Sequence, residues 1–175
     1  AHVFQKILDD KLTNKPVTIY YKLGQIYFEG KRFKDSINEF LRVREINPHS
    51  ESISLYLSVC YEELNEYDKA IAELTPLLDE HSEAWHIRLS LSNIYEKTKN
   101  FELTQLEREK VSEILMKNVR NGSTDIREYI VLSQLLHQTG RKTEAIDNLK
   151  TGLTYLHNKI DAESLQEIQF LMANL

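Results

Sequence analysis

One cysteine, three prolines and five glycines are all that 175 residues contain of these types. A lone thiol, Cys60, cannot close an internal disulfide, and no Cys/His framework for zinc can be assembled around it. So few turn formers count against collagen-like, loop-rich and turn-dense all-β architectures. No apolar run approaches the roughly 18 residues of a membrane span. The opening residues, Ala1-His2-Val3-Phe4-Gln5-Lys6, show no positive segment leading into an apolar one, so no signal peptide is visible. The chain starts without Met, as a mature form or an excised segment would. Basic excess is also missing. Lys plus Arg number 22 against 27 Asp plus Glu, a formal charge of -5, which argues against nucleic acid as partner. What is present, 41% hydrophobic and 28% charged residues, suffices to bury a core and argues against disorder. The length fits one domain over 1–175, read as soluble, with the cytoplasm slightly favoured as its compartment.

The chain repeats itself. Leu23, Leu57 and Leu91 are 34 residues apart, and so are Gly24, Ser58 and Ser92; Tyr27, Tyr61 and Tyr95; and Phe33, Tyr67 and Phe101. Leu132, Ser133 and Leu136 continue the first three columns after a step of 41. The surplus equals about two helical turns. Within a unit the apolar spacing is helical: Ile19, Tyr20, Leu23, Ile26 and Tyr27 share one face, Gly30 supplies a stop, and Ile37, Phe40, Leu41 and Val43 begin another before Asn47-Pro48. Small residues at 24, 58, 92 and 133 fall where two helices cross. Strand alternation is nowhere sustained. The pattern predicts an all-helical solenoid of antiparallel helix pairs.

These columns resemble the tetratricopeptide repeat, a 34-residue helix–turn–helix unit. Residues 17–50 match through Tyr20, Leu23, Gly24, Tyr27, Ser36, Phe40 and Pro48. Residues 51–84 match through Leu57, Ser58, Tyr61, Ala70 and Leu74, with Ser82 in place of Pro. Residues 85–125 keep Leu91, Ser92 and Tyr95 but carry Thr104 and Arg108 where small and aromatic residues are expected. Residues 126–159 keep Leu132, Ser133, Gly140, Ala145 and Leu149. The resemblance implies a right-handed superhelix of about four repeats. Residues 1–16 (Phe4, Ile7, Leu8, Leu12) are expected as a partial or capping helix and 160–175 as a C-terminal cap, since solenoid ends must be covered. The third unit's second helix is expected to be rotated or extended, with the extra residues near Asn118–Asp125, and Pro76 is expected to kink its helix near Thr75.

No catalytic motif is present, and the chain is read as no enzyme, with no cofactor and no metal. His81, Glu83 and His86 are spaced poorly for one helical face. Cys60 reads as packed thiol rather than nucleophile, and Asn121-Gly122-Ser123 as a turn rather than a glycosylation site. The resemblance implies instead a concave groove lined by first helices and holding a peptide or partner helix. Its walls would be Tyr21, Lys22 and Gln25; Leu55, Tyr56 and Val59; His86, Leu89 and Asn93; and Ile130 and Gln134. A related subgroup grips chaperone C-termini with a Lys, Asn, Asn, Lys, Arg set. Tyr21, Gln25, Tyr56, His86 and Ser90 stand in those places, so that ligand does not fit. The alternative for all the groove positions is packing, against one another or under a terminal helix.

Glu29, Glu62, Glu63 and Glu96 recur in register as an acidic rim, which with the apolar groove predicts a protein partner bearing apolar anchors and basic residues. The function expected is a scaffold or adaptor module. A regulatory segment of a larger enzyme and a self-assembling repeat unit are the alternatives, and neither membrane insertion nor nucleic acid enters any of them.

Overall fold

The computed structural model describes residues 16–156 and 160–174. The face expected from Phe4, Ile7, Leu8 and Leu12 lies outside them. The described residues form nine helices and no strand: α1 (Pro16–Glu29), α2 (Phe33–Ile46), α3 (Glu51–Glu63), α4 (Tyr67–Glu80), α5 (Trp85–Lys97), α6 (Phe101–Arg120), α7 (Ile126–Gln138), α8 (Lys142–Leu156) and α9 (Ala162–Asn174). The architecture is thus an all-α helical repeat. The chain divides into two compact units, Ala1–Ser82 and Glu83–Leu175. In the first, α1 pairs with α2, α3 pairs with α4, and α2 packs on α3. In the second, α5 pairs with α6, α7 with α8, α6 packs on α7, and α9 lies against α7 and α8.

Each pair closes because small residues sit where its helices meet. A Cβ added to Gly24 would stand 2.6 Å from the Phe40 ring, so only glycine lets α1 and α2 approach. Gly152 does the same for α8, where a Cβ would reach the Tyr129 ring at 2.8 Å. Ser58, Ser92 and Ser133, in the column of Gly24, are all buried. Hydroxyls at these contacts bind backbone: Ser36 Oγ donates to Gly24 O (2.9 Å) and Ser133 Oγ to Ala145 O (3.0 Å). Asn148 Nδ2 donates to Tyr129 O and Ser133 Oγ, both at 2.7 Å, so both hydrogens of this buried amide nitrogen are paired. The first unit's core joins Ile37, Phe40, Val43, Ile53, Leu57 and Cys60; the second's includes Val111, Leu115, Leu132, Leu135, Leu136 and Ala145.

The helix ends share one device. Lys31, Asn65, Lys99 and Gly140 all have left-handed backbone (φ 55, 60, 59 and 77°), again at steps of 34, 34 and 41. At each, the next residue's N–H reaches five residues back: Arg32 to Tyr27, Glu66 to Tyr61, Asn100 to Tyr95 and Arg141 to Leu136, all 2.8 Å. This Schellman geometry satisfies carbonyls that the helix end would leave orphaned. The left-handed residue of the first turn is Lys31, one position after the Gly30 that the sequence marks as the stop.

The departures in the sequence have structural counterparts. The extra residues of the third repeat lengthen its second helix, so that α6 has 20 residues where α2 and α4 have 14. The turn follows at Asn121-Gly122-Ser123, with Gly122 left-handed. Pro76 lies inside α4, which continues through it to Glu80. The Thr75 hydroxyl there donates to Ile71 O (2.8 Å). At the C-terminus α9 buries Ile168 against Ile130 and Leu149.

Candidate functional site

In the first unit the expected wall residues converge on an aromatic cluster. Tyr21 and Gln25 project from α1, and Leu55, Tyr56 and Val59 from α3, at helical spacings that put each set on one face. Tyr56 stacks on Phe40 (centroids 4.7 Å, planes 19° apart) and meets Phe28 edge-on at 5.2 Å. Tyr21 approaches both Phe40 (6.0 Å) and Tyr56 (6.1 Å) edge-on. Gln25 Nε2 donates to Tyr56 Oη at 3.0 Å, joining α1 to α3. Burial pushes the Tyr21 hydroxyl above its ordinary pKa, and the neighbouring Tyr56 adds to the rise. Half of each tyrosine therefore serves the core and half the surface. Lys22 is exposed, Leu55 half-buried, and Val59 39% exposed, an apolar side chain left open beside Tyr56. Phe28 is the member that the sequence reading missed. Its spacing from Gly24, one turn earlier on the same face, is the signal that could have found it.

In the second unit the wall positions behave differently. His86 and Asn93 are exposed, the His86 ring lying edge-on to Trp85 at 5.9 Å. Leu89 packs onto the core of Val111, Leu115 and Leu132. Ile130 is 4% exposed, beneath α9, and Gln134 Nε2 donates to Glu167 Oε1 of that helix at 3.2 Å. The packing alternative therefore describes these two positions: α9 covers them. A second residue missed from the sequence is Glu128, 7% exposed, whose Oε1 accepts from Trp85 Nε1 (3.1 Å) and Asn118 Nδ2 (2.7 Å), tying α5, α6 and α7 together.

Of the acidic rim, Glu29 and Glu63 are exposed and Glu62 half-buried. Glu96 is exposed and engaged through one oxygen, which accepts from Arg108 Nη2 at 2.7 Å. Cys60 is fully buried, its thiol donating to Ser36 Oγ (3.6 Å), and burial raises its pKa, which disfavours the nucleophilic thiolate. Among the described residues no three His, Cys, Asp or Glu side chains converge as a metal requires, and His81 lies instead 3.7 Å from Glu51. None of the described helices is long and apolar enough to cross a membrane.

Comparison with known proteins agrees with the helical-repeat fold. A tetratricopeptide repeat model matches residues 17–50. Anaphase-promoting complex subunit 3 of Dictyostelium discoideum is 34% identical over 59 residues, which are 34% of this chain and 6% of that protein. The chain thus spans a small fraction of that relative. Among solved structures, TTC0263, a thermophilic TPR protein of Thermus thermophilus, superposes with TM-score 0.64 at 15% identity, over 90% of this chain and 82% of its own. MamA superposes with TM-score 0.58 at 20% identity, over 90% and 87% of the two chains. At these identities the structures speak for the fold, which is typical of protein–protein interaction scaffolds. Residues 17–50 match the tetratricopeptide repeat, and the chain carrying them has the all-α helical-repeat fold seen in tetratricopeptide-repeat proteins.

Proposed function

We propose that this chain is a non-catalytic interaction module that holds a peptide or helix of a partner protein on the α1–α3 face of its first unit. One observation carries the reading: Val59 is left open beside a rigid Tyr21–Tyr56–Gln25 surface that is already anchored to the core. An aromatic surface fixed before binding gives large contact area at low entropic cost, and the tyrosine hydroxyls and Gln25 supply the polar tips that order a ligand backbone. The exposed carboxylates of Glu29 and Glu63 favour a partner with basic residues near its apolar anchors. A relative that is itself named as a subunit of a complex supports a scaffolding role.

The test is photo-crosslinking with benzoylphenylalanine at Val59, and in a second sample at Asp79, an exposed position on α4. A protein captured only from position 59, and lost when Lys22→Glu and Leu55→Arg are added, supports the reading. Equal capture from both positions, or capture untouched by those changes, removes it.

A further inference from the structure

Beyond the α1–α3 face, we infer that the third repeat carries a second docking site, a cleft between α6 and the end of α7 that accepts an aliphatic side chain flanked by lysine or arginine. In the other three repeats, the matching position of the second helix is a fully buried apolar anchor: Phe40, Leu74 and Leu149. The third repeat has Arg108 there. A guanidinium is costly to bury, and this one turns to Glu96 instead (2.7 Å). Beside it opens a cleft of about 410 Å³, well inside the size range of ligand pockets. The extra turns of α6 complete one wall, since Met116 lies past the fourteenth residue, where α2 and α4 have already ended.

Leu135 and Leu136 are the apolar lining from α7, facing Met116 of α6. The polar groups around them are mostly satisfied internally. Arg141 pairs with Glu144 through two nitrogens (2.7 and 2.6 Å), and the Ser112 and Thr139 hydroxyls bind backbone carbonyls of their own helices. Gln105 Nε2 occupies one oxygen of Glu109 (3.0 Å). Arg108 and Arg141 each have a carboxylate partner, Glu96 and Glu144. The charge without an ion pair around the cleft is therefore that of Glu109 and of Glu113, one turn further along the exposed side of α6, with the Gln138 amide beside them. The occupant this charge and lining fit is a peptide segment of another protein, with leucine-like side chains between basic ones.

The chain has two methionines, Met116 in the cleft and Met172 on α9, so methyl-labelled methionine gives one reporter inside the site and one outside it. The full chain is titrated with the capped tetrapeptide Lys-Leu-Leu-Lys and with its counterpart Glu-Leu-Leu-Glu. The site predicts a saturable shift of the Met116 methyl with the first peptide, with Met172 unmoved. Changing Glu109→Lys and Glu113→Lys, both exposed, should weaken binding by about tenfold or more. Ser112→Trp, which fills the cleft from a half-buried position, should abolish it. No Met116 shift at millimolar peptide, equal shifts with both peptides, or a shift that survives Ser112→Trp would each overturn the proposal. Lys22→Glu with Leu55→Arg should leave the Met116 response intact, which keeps this outcome separate from that of the α1–α3 face.

Discussion

Lys31, Asn65, Lys99 and Gly140 hold the same left-handed backbone at the same place in four repeats, yet only one is the residue type that prefers it. For an ordinary side chain that conformation costs about 1–2 kcal/mol, and asparagine escapes part of it. Lys31→Gly and Lys99→Gly are therefore expected to raise stability by roughly 0.5–1 kcal/mol each, after subtracting the favourable charge a lysine places at a helix C-terminus. Gly140→Ala should lower it by about 1 kcal/mol through strain alone, since a Cβ there meets nothing within 4 Å. Urea midpoints of the three variants check both signs. Gly24→Ala fails for another reason: its Cβ would strike the Phe40 ring, and a loss of about 1–3 kcal/mol follows, partly recovered by adding Phe40→Leu. The crowding at Gly24 is legible from sequence because a small residue recurs at a fixed step. The strain at Lys31 is not, because lysine carries no mark of the backbone that its neighbours impose.

At the level of elements, helices and their order follow from apolar spacing, and the long step before Leu132 announces the 20-residue α6. Side-chain fates within them are less readable. Ile130 and Tyr21 occupy analogous expected positions, separated by steps of 34, 34 and 41. One is sealed by α9 and the other is shared between core and surface, a difference set by a helix some 30 residues further on. Arg108 shows the converse: its departure from the repeat pattern is plain in the sequence, while the cleft beside it emerges only from packing. Pro76 tests an element directly. In the interior of α4 it removes the N–H that would bind Ala72 O, a defect that costs about 3 kcal/mol in an ordinary helix. Pro76→Ala should raise the melting temperature, and an unchanged or lower value would mean that local adjustment has already absorbed the defect.

For the molecule as a whole, acid sensitivity is concentrated where ionised carboxylates are held by partners. Glu107 in the second unit is the clearest case. Burial opposes its ionisation, but hydrogen bonds from Lys110 (2.9 Å) and Arg88 (2.8 Å), with their charges, outweigh it and hold the carboxyl below its ordinary pKa. The folded state then binds fewer protons than the unfolded one, so this stabilisation is complete above about pH 4.3 and is lost as pH falls through the folded value. Glu107→Gln is expected to be less stable at pH 7 and to show a shallower decline below about pH 4. Identical slopes in denaturation series at pH 7 to 3 would remove Glu107 from the explanation. A last consequence comes from Glu128. The indole it holds belongs to the chain's one tryptophan, so intrinsic fluorescence watches the meeting of α5, α6 and α7, whereas circular dichroism counts every helix in the chain. The two signals need not fade together on heating, and the gap between them is a built-in measure of whether the unfolding is one cooperative event or two.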